Sequence, residues 1–222
     1  MSASLALFQR EMLLAWRVRG ETAAHFVFIL LIITLFPFAL GPDTQLLQKL
    51  APGLLLLAIL LGQMLGFERL FSGDFHNGTL DLIPCSNLPL PLYALIKSFA
   101  QWCALFLPIL IFSPLFMLLL HVDLNAIAPL LLSLTLASLL VQFLGMLASA
   151  LALGAKNSGL ILPLLLIPFY IPVMIFAVSL AAQGFTAEGL QALYFLCALF
   201  FLYLSTLPFL SGAALRSALE SL

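Results

Sequence analysis

Six long apolar runs fill most of this chain, and the 8 Lys and Arg and 9 Asp and Glu among its 222 residues fall almost wholly between them. A hydrophobic fraction of 64% and a mean hydropathy of +1.22 exceed what a soluble domain can hide, because a water-soluble globule of this length needs a charged, solvated surface. The bilayer must therefore act as the solvent. In lipid every backbone N–H and C=O has to be satisfied within the protein, so each run is a helix or part of a closed barrel. The runs are continuous rather than alternating, which excludes the barrel.

The expected spans are residues 22–40, 50–67, 98–120, 126–154, 159–182 and 190–211, set against a need for ~20 residues to cross the hydrocarbon core. They form one polytopic all-α integral membrane domain over residues 1–222. An even number of spans puts both ends of the chain on one side, together with the loops at 68–97 and 155–158. That side collects Arg10, Arg17, Arg19, Arg69, Lys97, Lys156 and Arg216 and leaves Lys49 opposite, with Asp43, Asp123 and Glu188. By the positive-inside rule both termini are cytoplasmic.

The first twenty residues do not have the form of a cleaved signal peptide, since Arg10, Glu11, Arg17, Arg19 and Glu21 are spread over too long a stretch. Leu5, Phe8, Met12 and Trp16 instead share one helical face and Arg10, Arg17 and Glu21 another. An amphipathic helix in the cytoplasmic interface is predicted, either a topological anchor or a lever that touches a cytoplasmic partner.

Cys85, Cys103 and Cys197 form no C-x-x-C and are expected to be packing residues. His25, His76 and His121 are equally scattered. His121 is the best placed of them for an outward-facing cofactor, but a lone His at a span end is more often an interfacial hydrogen bonder than a ligand. No Asp, Glu, Lys or Arg falls near the middle of a span, which disfavours proton or sodium coupling. Pro108 and Pro114 in the third run and Pro163, Pro168 and Pro172 in the fifth could break those helices to make an ion site, although kinks at proline are common in membrane helices for geometric reasons alone. No G-x-x-x-x-G-K-[ST] loop is present, so the chain is not expected to be an enzyme, and a partner must supply the energy. Gly62 and Gly66, and Gly145, Ala148, Ser149, Ala152 and Gly154, make smooth faces for which internal packing is favoured over dimerisation.

The segment after the second span carries the most information. Glu68 and Arg69 stand at the membrane edge, and Asp74, the turn Asn77-Gly78, a capping-competent Thr79, Leu80, Asp81 and a stop at Pro84 follow. This pattern predicts a very short, stiff cytoplasmic helix within residues 74–84, able to act as a docking surface. Leu88-Pro89-Leu90-Pro91 then precedes a new helix start toward Lys97.

Glu68-Arg69-Leu70-Phe71 with Gly78-Thr79-Leu80-Asp81 and Pro84 resembles the loop after the second span in ABC-2-type permease subunits, in the form found in the CcmB family of cytochrome c maturation. Thr34-Leu35-Phe36-Pro37, Ala51-Pro52-Gly53, Leu88-Pro89-Leu90-Pro91, Ser113-Pro114-Leu115 and Ala213-Ala214-Leu215-Arg216 extend the resemblance over essentially the whole chain. Ser72-Gly73 departs from the charged residue often found after Glu-Arg-Leu-Phe in that family.

The resemblance implies a six-helix permease subunit of a bacterial inner-membrane ABC complex. Its implied partners are a cytoplasmic CcmA-type ATPase subunit, the haem-handling membrane proteins C and D and the periplasmic haem chaperone E, with two copies of this chain in the complex and no nucleic acid. No cofactor is expected on the chain itself, haem being handled by the complex and ATP by the partner. Glu68, Arg69, Asp74, Gly78, Thr79, Leu80, Asp81 and Pro84 are implied to dock the ATPase. Two other classes remain open from the residues alone, an ion-coupled carrier or channel and a non-transporting assembly factor.

Overall fold

In the computed structural model, residues 3–17, 19–41, 44–84, 88–153 and 158–220 are described. Cys85, Asp43, Gly154 and Lys156 lie outside them, as do the side chains of Trp16, Arg17, Arg19 and Glu21. The elements are α1 (Ala3–Arg17), α2 (Arg19–Leu40), α3 (Thr44–Phe67), α4 (Ser72–His76), α5 (Thr79–Leu82), α6 (Leu90–Leu119), a 3-10 turn (Leu124–Ala126), α7 (Ile127–Leu151), α8 (Ser158–Gln183) and α9 (Ala187–Glu220). Among the described residues, α2, α3, α6, α7, α8 and α9 are long and apolar enough to cross a membrane. All six coincide with the expected spans.

Several helices run past the ends of their apolar runs. α3 begins six residues before the expected 50, α6 eight residues before the expected 98, and α9 continues nine residues beyond the expected 211. Hydropathy marks where lipid ends, whereas a helix ends where its backbone meets a cap or a breaker. Pro89 (φ −62, ψ 139) is the N-cap of α6, and Pro91 is tolerated in the first turn because its missing N–H has no helical acceptor there. Lys97 is thus a residue of α6 rather than of the preceding loop. At 34 residues α9 spans about 51 Å against a hydrocarbon core of about 30 Å. Its last turns emerge from lipid, where Arg216 Nε meets Glu220 Oε1 at 3.1 Å.

α6 is unbroken through Pro108 and Pro114, and α8 through residues 163, 168 and 172. Pro114 has no N–H to give the Leu110 carbonyl; the Ser113 hydroxyl donates to that carbonyl instead at 2.7 Å. Neither helix is therefore split into half-helices whose exposed ends could form an ion site.

α7 lies at the centre, packed against α3, α6, α8 and α9. Small residues let its neighbours approach closely. A Cβ on Gly145 would stand 2.2 Å from the Phe67 ring of α3, and one on Gly62 would stand 2.5 Å from the end of Ile29 on α2. The small-residue faces thus serve internal packing. Ser149 Oγ donates to the Phe67 carbonyl at 2.7 Å and Ser133 Oγ to the Ala177 carbonyl at 2.6 Å, the interhelical polar contacts expected where lipid offers no alternative partner.

The two ends of the bundle are identified by these contacts. Gly212 of α9 abuts Pro91 at the start of α6, and α1 lies along α6 with Phe8 and Phe99 ring centroids 6.2 Å apart. At the opposite end Gln48 Nε2 donates to the His121 carbonyl at 2.7 Å, across the turn that precedes α7. Arg10, Arg69, Lys97 and Arg216 lie at the first end and Lys49 at the second.

Candidate functional site

α3 unwinds after Phe67 through a tight turn in which the Arg69 and Leu70 amides bond the Gly66 and Phe67 carbonyls at 3.3 and 3.2 Å. Two separate helical turns follow, α4 and α5, where sequence reasoning placed one short helix over residues 74–84. The break falls at Asn77-Gly78. Gly78 has φ 68 and ψ 5, the left-handed region that glycine enters without steric cost, and it reverses the chain there. Gly78 rather than Thr79 holds the N-cap position of α5, and no side-chain bond caps it. The expected Thr79 cap is therefore corrected to a glycine turn. Asp81 does lie in the first turn of α5, and the chain turns at Pro84.

This hairpin is seated on the bundle by apolar side chains that face inward. Phe71 and Leu80 are fully buried, Leu70 nearly so, and the Phe71 ring lies 6.2 Å from that of Tyr93 on α6. Leu80, expected on a docking face, is an anchor instead, because a leucine on the underside of so short a turn gains most from burial in the apolar core.

Asp74 is likewise turned inward and only 8% exposed. Its Oδ2 accepts a 2.5 Å hydrogen bond from the Tyr93 hydroxyl and a contact from Lys97 Nζ, and its Oδ1 lies 3.9 Å from Arg10 Nη2 on α1. Burial by itself would push this carboxyl up. The Lys97 ammonium, with the Tyr93 hydroxyl and the Arg10 guanidinium, outweighs that and holds it below the ordinary carboxylate value. A buried carboxylate needs such partners, so the assignment of Asp74 to an exposed docking face is corrected: it ties the hairpin to α6 and α1.

The exposed surface of the hairpin consists of Glu68, Arg69, Gly73, His76, Asn77, Asp81, Leu82 and Pro84, with Gly78 and Thr79 half-buried beside it. His76 Nδ1 is held 2.7 Å from the Ser72 carbonyl. Leu82 is 66% exposed at the tip of α5, a large aliphatic side chain flanked by Asp81 and Pro84. One aliphatic residue projecting from a short, charge-bordered turn suits insertion into a pocket of a partner.

Tyr93, Lys97 and Gln101 recur every four residues and form a polar ridge along one face of α6. At the end of the bundle that bears α1 and the hairpin, the ridge meets Asp74. One turn deeper Gln101 Nε2 donates to the Gly66 carbonyl of α3 at 2.8 Å, and Gln101 Oε1 accepts from Gln142 Nε2 of α7 at 3.0 Å. Gln142 Nε2 also bonds the Ser98 carbonyl at 3.1 Å. Deeper still, Trp102 Nε1 donates to Ser138 Oγ and Gln63 Nε2 to the Ser138 carbonyl, both at 3.1 Å. A cleft of about 420 Å³ between α1, the hairpin and α6 opens onto the ridge. Sequence reasoning missed Tyr93 and Gln101, although their four-residue spacing about Lys97 was visible.

His25 borders that cleft from α2, His76 lies in the hairpin, and His121 sits in the turn before α7 at the opposite end, with φ 54 and an exposed side chain. Cys103 and Cys197 are free thiols, both half-buried on α6 and α9. The three imidazoles thus occupy three separate regions of the fold.

The family described as CcmB protein matches residues 2–218. The chain is 38% identical over 218 residues to "Heme exporter protein B" of Haemophilus influenzae, covering 98% of this chain and 99% of that protein. It is 40% identical over 213 residues to the protein of the same description from Pseudomonas aeruginosa, covering 95% of each. With that of Bradyrhizobium diazoefficiens it shares 37% identity over 223 residues, 99% of this chain and 100% of the other.

Proposed function

The chain belongs to the CcmB protein family, and from that membership and the seated cytoplasmic hairpin we propose that it is the permease subunit of a haem-export ABC complex serving c-type cytochrome biogenesis. It is a multi-pass membrane protein in which a single ABC-2-type unit couples ATP hydrolysis by a CcmA-type partner to haem delivery. The bundle end bearing α1, the hairpin and the end of α9 faces the cytoplasm of a bacterial inner membrane, in line with its cation excess. The complex comprises two copies of this chain, the ATPase subunit, and the haem-handling proteins C and D, and it serves the periplasmic chaperone E.

The observation that carries the reading is the hairpin after α3: a rigidly seated, two-turn projection whose exposed tip is Leu82, in a chain whose full-length relatives are haem exporter proteins B. Mechanical input needs a stiff contact, and burial of Phe71, Asp74 and Leu80 supplies it. Within the complex this subunit converts hydrolysis into release of the haem-loaded chaperone. The separation of His25, His76 and His121 favours that role over conduction of haem, which needs paired axial ligands along a path.

Leu82→Glu tests the docking role. Burying a carboxylate without a partner costs at least several kcal/mol, so the ATPase subunit should no longer co-purify with the variant from native membranes, and covalent c-type haem should fall with it. Insertion of the variant into the membrane should be unchanged, since Leu82 is largely exposed. Retention of the ATPase subunit at the unmodified level would overturn the docking assignment.

A further inference from the structure

Arg10, Glu11, Asp74 and Lys97 form a closed circuit of alternating charge at the junction of α1, the hairpin and α6. Arg10 Nη1 is 2.9 Å from Glu11 Oε1, Lys97 Nζ is 3.7 Å from Glu11 Oε2 and touches Asp74 Oδ2, and Arg10 Nη2 is 3.9 Å from Asp74 Oδ1. The side chains of Glu11, Asp74 and Lys97 are 11% exposed and that of Arg10 44%. Each charge therefore meets two of opposite sign, and three of the four have little water to fall back on.

We propose that this circuit is the joint through which movement of the hairpin enters the bundle, with Asp74 and Lys97 as positioning residues for energy coupling and α1 carried along as part of the moving unit. The proposal rests on the reading of the hairpin as the ATPase contact and assigns what lies behind that contact. Lifting the hairpin off α6 by itself parts Asp74 from both Lys97 and Arg10 and leaves Lys97 with Glu11 alone, the costly way to break a buried pair. Moving hairpin, α1 and the start of α6 together leaves every pair intact and so is the path of lower cost.

The start of α6 is in turn bound to the rest of the bundle. One turn beyond Lys97, Gln101 holds the Gly66 carbonyl of α3 and the Gln142 amide of α7. A displacement of α6 at the circuit thus reaches the central helix through direct hydrogen bonds. α1 packs mainly along α6, and its two charged side chains here both belong to the circuit, which makes it a lever joined to the hairpin rather than only a surface anchor.

The decisive variant is Asp74→Asn with Lys97→Met, which removes both charges of the central pair and leaves Arg10 and Glu11 paired with each other. It avoids the stranded charge that either single change creates and that lowers the amount of folded complex. Three quantities are read on the full complex in native membranes: ATPase subunit retained per copy of this chain, ATP hydrolysed, and covalent c-type haem formed. The double variant should retain the ATPase subunit and hydrolyse ATP while c-type haem per ATP hydrolysed falls by roughly tenfold or more, and Lys97→Arg, which keeps the charge, should hold that ratio close to the unmodified value.

A double variant with an unmodified ratio would overturn the proposal, because the charges would then serve only to hold the fold. Loss of the ATPase subunit from the double variant would also overturn it, returning Asp74 and Lys97 to the docking surface. If the unmodified chain itself retains no ATPase subunit, the functional reading fails first and the joint with it. A fall in haem per ATP with the ATPase subunit still bound is the result that supports the joint.

Discussion

Replacing Gly145 by alanine should destabilise the protein although alanine is the better helix former. The new Cβ would lie 2.2, 2.3 and 2.4 Å from three carbons of the Phe67 ring, against about 3.5 Å for carbon atoms in contact, so the ring or its helix must retreat by about 1.3 Å. Phe67 is fully buried, and its carbonyl is held 2.7 Å from Ser149 Oγ one turn along α7, so the backbone cannot simply swing away. Overpacking of this kind costs about 1–3 kcal/mol, from which about 1 kcal/mol of gained helix propensity is subtracted. A net loss of up to about 2 kcal/mol is expected. Gly53→Ala is the control, since nothing lies within 4 Å of the added carbon and only the gain in propensity remains. The propensity gain is common to both, so the two variants should differ by the overpacking cost, about 1–3 kcal/mol, in unfolding by sodium dodecyl sulfate from mild detergent micelles. Phe67→Leu in the Gly145→Ala background should recover part of the loss by vacating the ring's volume. Equal unfolding of Gly145→Ala and Gly53→Ala would refute the close approach of α3 and α7, and with it the rigid support of the hairpin that grows from the end of α3.

The hairpin makes two further expectations. Gly78→Ala should weaken it by about 1 kcal/mol, because an L-residue is strained at φ 68, whereas Gly78→Pro, whose ring fixes φ near −65°, should abolish the reversal altogether. Limited proteolysis between Ser72 and Pro84 reports both, and equal protection of the two variants would contradict the geometry. Asp74 sets a pH dependence of defined sign: a carboxyl whose folded value is lowered contributes stability that is complete above the unfolded value near 3.8 and is lost as the pH falls through the lower folded value. Protection of the hairpin should therefore persist through the ordinary carboxylate range and fail only in stronger acid, with Asp74→Asn showing reduced protection at neutral pH and no such transition. Loss of protection at or above the ordinary range would mean that Asp74 is not held by Lys97.

The spans, the small-residue faces and a structured segment with a turn at Asn77-Gly78 were legible in the sequence because each depends on local pattern, although the segment is two helical turns rather than one short helix. Continuous apolar runs can only be helices in lipid, and Asn77-Gly78 marks a reversal whatever surrounds it. Helix ends were less legible, since the runs report the depth of the lipid, whereas α6 begins back at the Pro89 cap and α9 continues to Glu220. The direction in which Asp74 and Leu80 point could not be read at all. A charge and a leucine within a dozen residues of a membrane edge look like surface features until the packing is known, and Tyr93, Lys97, Arg10 and Glu11 approach Asp74 only through tertiary packing.

That inversion alters how force can act on the chain. Had Asp74 faced outward, its loss would weaken a contact with the ATPase, and the bundle would receive whatever motion the remaining contacts transmit. Because Asp74 faces inward, the same residue decides instead whether the hairpin and α6 move as one body. On the proposed reading the contact with the ATPase is left to Leu82 and its polar neighbours, while Asp74, Phe71 and Leu80 hold the hairpin to the bundle. Two separate classes of defect follow, one in which the partner fails to bind and one in which it binds and hydrolyses ATP without effect. Leu82→Glu belongs to the first class and the Asp74→Asn, Lys97→Met pair to the second. Combining them should produce the first defect alone, since a joint cannot transmit force from a contact that never forms.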